Sequence, residues 1–553
     1  MPDDTRDPRP PQPKGWSWRD RARGSVISGV VLDPGAEPLD GIEAFQTAYV
    51  PHRLLISIPP GDTGLESLEG PYARVRAAAR AFGWDAVAQR LDGAELAEVP
   101  EERVPGAPRV LRVQLTTPDE VARGVSPSLP DAWRVLQRVR RTALDAVGEG
   151  ADVGAALRKA GADRIGLDHI LTLDPIGVNP FMKTNPFMKT NPFMKTNPFM
   201  KTNPFMKTNP VDEYGSRGSG GRQPVAWVGP GPTRPPVPEG HRRAVVAVLD
   251  TGAGAHSWLP DDIVDRRVTV DGRVVGLDDE ANPEIYPDLY GPLDGQLDDV
   301  AGHGTFIAGI IRQAAPAADI LAIRVADAHG MVEESSLLAV LEDLALLVFR
   351  ARHGKDGGRP IDVVSLSLGY YHETPQDGVY TRDLYDLLAV LRGLGTTVVV
   401  SAGNDAIDRP TFPASLWPWP GADNGLLPDG GAAHLSVGAL NPDRRTTALF
   451  SNVGPWVRLY APGAAVVSTI PDFFGGVQAS ARDDEYGRER LTIGPEDYRG
   501  GFAVWSGTSF AAPLVAGRIA ARLAEGALLS AGEDSAVAAA LAATRAVLAG
   551  DDD

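Results

Sequence analysis

The sequence predicts an α/β protein, a doubly wound parallel sheet preceded by a smaller N-terminal α/β domain. The first observation is a set of continuous apolar runs from Arg242 onward: AVVAVLD (244–250), DILAIRVA (319–326), IDVVSLSLG (361–369), TTVVVSAGN (396–404) and HLSVGAL (434–440). Runs without polar alternation, separated by helical segments, belong to parallel strands covered on both faces. The second is that polar residues fall at the carboxyl ends of these runs, where such sheets place their sites. The third is a separate front stretch, Val26 to Leu173, which alternates strand and helix patterns and ends at a low-complexity tract.

Taken in chain order, residues 1–24 are rich in Pro, Asp and Arg, which predicts disorder. Residues 25–176 form the front domain. Its candidate strands are VISGVVL (26–32), RLLISI (53–58), RVLRVQL (109–115) and HILTL (169–173). Apolar residues at helical spacing predict helices over 72–91 and 131–147. Residues 177–240 read as a linker, because NPFMKT occurs five times from Asn179 to Thr208. A proline in every unit removes a backbone donor and turns the preceding Asn away from helix. A hexapeptide β-solenoid needs uninterrupted ladders and fits poorly. Residues 241–530 form the large α/β domain, and 531–553 a C-terminal helix with an acidic tail.

Composition narrows the function. The 553 residues are 43% apolar and 23% charged, with a formal net charge of −18. A nucleic-acid surface needs clustered positive charge, so no nucleic-acid partner is expected. Cysteine is absent, which excludes disulfides, thiolate catalysis and Cys-based zinc sites. There is no signal-peptide pattern and no run of about 20 apolar residues, so neither ordinary secretion nor a membrane span is expected, and a cytoplasmic location is the simplest expectation.

Four places carry chemistry. Asp250 ends a buried strand and precedes Thr251-Gly252; by itself it reads more readily as a turn former than as a catalytic residue. His303, in GHGTFIAGIIRQ (302–313), stands at the start of an amphipathic helix, where capping or core roles are common. His256 competes for attention near Asp250, but its context is that of a loop. Ser509, in GTSFAAPLVAGRIAARLAEG (507–526), begins a helix whose positive end favours a developing oxyanion, although an N-cap reading is also open. Asn404 closes a strand in SAGND (401–405) and offers a donor that does not titrate. Together these make one machine. Ser509 is the nucleophile, His303 the proton carrier and Asp250 its orienting partner, while Asn404 and the Ser509 N–H hold the oxyanion. The chain order Asp, His, Ser is that of subtilisin and differs from chymotrypsin and the α/β-hydrolases.

At this point the domain resembles the subtilisin-like (S8) serine peptidases, roughly from Arg242 to Gly526. The blocks VLDTG (248–252), GHGTFIAG (302–309), SLSLG (365–369), SAGN (401–404), FSNVG (450–454), APG (461–463) and GTSFAAPLVAG (507–517) occur in the family's order. The resemblance implies a serine endopeptidase acting through an acyl-enzyme. It also implies that Ser367, Leu368 and Gly369 form an edge that pairs with an extended protein or peptide substrate. Phe306, Phe510 and Leu514 replace residues common in the family, and none is a catalytic group. Insertions at 412–431, with Trp417 and Trp419, and between Pro471 and Trp505 bear on specificity. His303 and Asn404 argue against the related sedolisins. Calcium, frequent in the family, has candidate acid-rich loops at Asp278–Glu280 and Asp294–Asp299 without ordered ligand spacing; no metal or cofactor is needed for the chemistry.

The resemblance also suggests that the front domain is a prodomain that blocks the site, with an accessory domain as the alternative. For the NPFMKT array three readings stand: a linker cut by the enzyme itself, a neutral tandem expansion, and a multivalent docking segment.

Overall fold

The computed structural model describes residues 10–24, 29–58, 70–96, 102–118, 128–146, 152–173, 214, 220–237, 239–374, 382–422, 426–475, 479–525 and 533–550. The NPFMKT array lies outside the described residues.

Seven strands form the central sheet of the large domain, and every neighbouring pair is parallel. The order across it is Leu459–Pro462, His434–Leu440, Thr397–Ser401, Val363–Leu366, Val245–Asp250, Asp319–Arg324 and Val264–Asp265. The continuous apolar runs have a simple cause. Side chains alternate across a strand, and both faces are covered. Val245, Ala247 and Leu249 enter one core with helix Glu334–Arg352. Ala244, Val246 and Val248 enter the other with helices His303–Ala314 and Thr508–Glu525.

The front domain is built on an antiparallel sheet. Ala48–Ile58 is flanked by Arg109–Thr116 and Ile165–Thr172, and Asp85–Gln89 pairs with the outer side of Arg109–Thr116. Leu54 and Ile56 pack with Trp133, Leu136 and Val139 of helix Ala132–Asp145. Leu55, on the opposite face, joins the core of the large domain beside Leu337 and Leu341. One face of this sheet therefore closes the domain's own core, and the other docks on helix Glu334–Arg352. The sheet also crosses the boundary, because Met331–Glu333 of the large domain pairs antiparallel with Ile165–Thr172.

Three expectations are corrected. The helix expected over 72–91 ends at Ala81, and Asp85–Gln89 is a strand. The strand expected over 26–32 is only Val30–Val31 among the described residues. Residues 10–24, expected to be disordered, lie against the large domain and include helix Trp18–Gly24, whose Arg21 is buried against Asp288.

Candidate active site

Asp250 is the last residue of a central strand, so it is fixed by its neighbours on both sides. Its Oδ1 accepts the Thr251 N–H at 2.8 Å and faces His303 Nδ1 at 2.7 Å. His303 opens helix His303–Ala314. Gly302 before it takes a left-handed turn (φ 81°), which a residue with a Cβ adopts only with strain. Gly304 allows the helix to come close, since a Cβ there would stand 2.1 Å from the Gly252 carbonyl oxygen.

Ser509 lies in the first turn of helix Thr508–Glu525, which packs across the sheet. Asn404 is tied to the same turn. Its Oδ1 accepts the Thr508 N–H at 2.8 Å and the Thr508 hydroxyl at 2.9 Å. With the oxygen so held, the amide nitrogen is turned to the other side. Ser367 Oγ donates to the Ser509 carbonyl at 3.0 Å, which joins the edge segment to the nucleophile's helix. Sequence-predicted Asp250, His303, Asn404, Ser509 and the Ser367–Gly369 edge thus converge on one cleft. His256 stays apart, with its Nδ1 accepting the Trp258 N–H and burial lowering its pKa.

Aromatic rings wall His303. Trp505 meets it edge-on with centroids 5.5 Å apart, and Phe510 lies at 5.3 Å. Phe306 packs on Phe510 at 4.6 Å. Two of the residues that depart from the family pattern, Phe510 and behind it Phe306, therefore belong to the apolar surroundings of the imidazole. The two tryptophans of the 412–431 insertion do not line the cleft. Trp417 donates to the Trp456 carbonyl, and Trp419 packs at the rim of the core. Thr411 lines a pocket beside the triad, with Leu368, Gly369 and Asn404 and, from the front domain, Thr172 and Leu173.

The cleft is filled from the front domain. Thr172 and Gly369 exchange backbone hydrogen bonds, both 3.0 Å, in antiparallel fashion. On the other side the Leu173 N–H donates to the Gly330 carbonyl at 2.9 Å. Ser509 Oγ donates to the Leu173 carbonyl at 3.1 Å, and His303 Nε2 has no hydrogen-bond partner among the described residues. Asp250 and His303 are 0% exposed and Ser509 2%, so the site is shut from solvent.

A buried polar cluster fixes this arrangement beside the cleft. His169, on the strand that enters the cleft, sits between Glu334 (2.6 Å) and Glu373 (2.9 Å) of the large domain. Arg140 of the front domain also binds Glu373, at 3.1 Å. Burial opposes charge on His169, but the two carboxylates outweigh it and raise its pKa to about 10. Burial lowers the pKa of neighbouring His372 to about 3. In the first of the two loops suggested for calcium, Asp278 and Asp279 pair with Arg267 and Arg324.

A buried Asp–His pair at the end of a parallel strand and a serine at a helix start define a serine-hydrolase type of site. The chain belongs to the subtilase family (peptidase S8), whose sequence model matches residues 241–547, more than half of it. It is 30% identical over 293 residues to an intracellular serine protease of Paenibacillus polymyxa, covering 50% of this chain and 66% of that one. It is 28% identical over 286 residues to the serine protease AprX of Bacillus subtilis, covering 49% and 55%. The chain thus matches between about half and two thirds of the length of these relatives. Among solved structures, a cold-adapted subtilisin-like serine proteinase aligns at 23% identity with a TM-score of 0.32, over 54% of this chain and 83% of that one. No helix among the described residues is long and apolar enough to cross a membrane.

Proposed function

We propose that the protein is a serine endopeptidase whose own N-terminal domain holds it inactive. The observation that carries this reading is the seating of Thr172 and Leu173 along Gly369 and Gly330, with Ser509 Oγ on the Leu173 carbonyl. A segment bound as an added strand, with a carbonyl at the nucleophile, occupies the place of a peptide substrate.

In the reaction so proposed, Ser509 Oγ attacks the scissile carbonyl and gives its proton to His303 Nε2. Asp250 fixes the tautomer with Nδ1–H toward it and stabilises the imidazolium. The Ser509 N–H and the Asn404 amide bind the oxyanion, near the positive end of helix Thr508–Glu525. His303 then protonates the leaving amine, and water repeats the sequence on the acyl-enzyme. Ser367, Leu368 and Gly369 hold the substrate backbone. No metal or cofactor takes part, the substrate is protein or peptide, and the site of action is the cytoplasm.

Release of the front domain requires a cut, or an opening, after Leu173. The NPFMKT array follows in the chain and is the proposed place of self-cleavage. Two measurements test the reading. A fluorophosphonate probe should label the cleaved protein far faster than the uncut chain, and Ser509→Ala should abolish labelling. Intact mass should show a cut between 174 and 241 that Ser509→Ala prevents. Absence of labelling in both forms overturns the peptidase, and equal labelling overturns the inhibitor.

A further inference from the structure

Behind the triad lies a second carboxyl group that the mechanism above does not use. Glu284 is 2% exposed and belongs to a loop that folds back between the residues just after Asp250 and those just after His303. Its Oε1 accepts the Gly304 N–H at 2.9 Å and meets the Thr251 hydroxyl, while Oε2 meets the Thr305 hydroxyl. It has no ion-pair partner among the described residues. Arg324, on the adjoining strand, binds the Leu277, Ala281 and Asp279 carbonyls and the Asp279 carboxylate. Among the described residues, the Asp250 charge acts on Glu284, and the Arg324 and Glu284 side chains both lie beside Gly252.

The Thr251 hydroxyl creates a choice. It accepts the Gly304 N–H at 2.8 Å and lies between two acids, 3.1 Å from Asp250 Oδ1 and in contact with Glu284 Oε1. A hydroxyl has one proton to donate. With Glu284 ionised, that proton serves Glu284, and Asp250 loses a donor while facing a second negative charge. With Glu284 protonated, its O–H donates to Thr251 Oγ1, and the threonine proton turns to Asp250. Each arrangement satisfies the threonine. Burial drives the Glu284 pKa up to about 7 and the Asp250 charge adds to the rise, against the pull of its hydroxyl and amide donors.

We propose that Glu284 is a positioning residue of the triad, acting through Thr251: its protonation decides whether Asp250 holds two or three donors and thereby tunes the proton affinity of His303. The catalytic consequence rests on the peptidase reading, but the coupling itself does not. Ionised Glu284 makes Asp250 a stronger acceptor and adds negative potential, so both effects favour the imidazolium form of His303. Protonated Glu284 disfavours that form.

The test is an NMR titration of the full-length Ser509→Ala chain with isotope-labelled histidine, following His303. The expected curve has two steps, because Glu284 titrates alongside. In the Glu284→Gln, Ser509→Ala chain it becomes a single step whose midpoint lies lower by about half a pH unit or more. A carboxyl that only supports the fold leaves that midpoint where it was, and an unmoved midpoint overturns the proposal. Should the Gln chain fail to fold, a one-step curve in the parent overturns it equally, and a two-step curve supports it. Fluorophosphonate labelling of the wild-type cleaved protein reports separately on the peptidase. A moved midpoint without labelling removes the peptidase and keeps the coupling; labelling with an unmoved midpoint removes only the coupling.

Discussion

Ser509 Oγ donates its hydrogen bond to the carbonyl of Leu173, 3.1 Å away, and His303 Nε2 is left without a partner among the described residues. Ser509 is thus engaged by the chain's own front domain, and under the proposed function this is the place of a substrate carbonyl. The same strand that ends there begins in the core of that domain, at Ile165 and Leu167. One strand therefore links the front-domain core to the Ser509 site.

If that strand is the inhibitor, weakening its pairing should open the site. Thr172→Pro removes the N–H that donates to the Gly369 carbonyl at 3.0 Å, and the ring crowds the ladder. A backbone hydrogen bond is worth about 0.5–1.5 kcal/mol net, so with the added crowding we expect roughly tenfold faster fluorophosphonate labelling of the uncut chain. Labelling of the cleaved enzyme should not change. The same rate for variant and wild-type uncut chains would refute this pairing as the lock.

The His169 cluster makes the lock dependent on pH. The docked pKa is raised to about 10, above an ordinary histidine value near 6.5. The stabilisation is therefore complete below about pH 6.5 and is lost as the pH rises toward 10. Labelling of the uncut chain, divided by that of the cleaved enzyme at each pH, should climb across this window. His169→Gln should flatten the climb. A flat ratio in the wild type would show that the imidazolium contributes nothing to docking.

Much of the large domain could be read in advance because its signals are local. Ala244 to Leu249 are all apolar since alternate residues feed two cores, and the Asp that follows has nowhere to go but the sheet's end. The site residues come with short segments whose order alone distinguishes them. Asp85–Gln89 was hidden in a helical pattern because its partner strand begins at Arg109 and its side chains are half exposed, which weakens the alternation. Arg21 reads as part of a charged tail until Asp288 buries it. Glu284 has no motif at all. Its meaning depends on a loop returning to touch Thr251 and Thr305, segments linked only by the fold.

Asn404 offers a direct test of the oxyanion assignment. Thr508 holds its side-chain oxygen with two hydrogen bonds, which orients the amide nitrogen without help from substrate. Asn404→Ala in the cleaved enzyme should lower kcat by about 10²–10³-fold and leave KM nearly unchanged. Asn404→Asp keeps acceptors for Thr508 but sets a negative charge against the oxyanion, so its loss should be at least as large. A rise in KM at constant kcat would move Asn404 from oxyanion binding to substrate binding.

The approach of the His303 helix to the Asp250 strand predicts an inverted alanine effect. In an ordinary helix interior Gly→Ala adds up to about 1 kcal/mol of stability. At Gly304 the new Cβ would meet the Gly252 carbonyl oxygen at 2.1 Å and Thr251 Oγ1 at 3.0 Å. The first obstacle is backbone, which does not step aside, so the helix itself must shift away from the strand. Overpacking of this kind costs about 1–3 kcal/mol. The shift also lengthens the 2.7 Å contact between Asp250 and His303, because residue 304 adjoins the histidine. Gly304→Ala should therefore lower Tm and also lower kcat of the cleaved enzyme, whereas Ala308→Gly, on the same helix and away from the triad, should lower Tm alone. Thermal melts and kcat measured on the two variants decide it; a Gly304→Ala enzyme as stable and as fast as wild type would mean that the helix does not need this close approach.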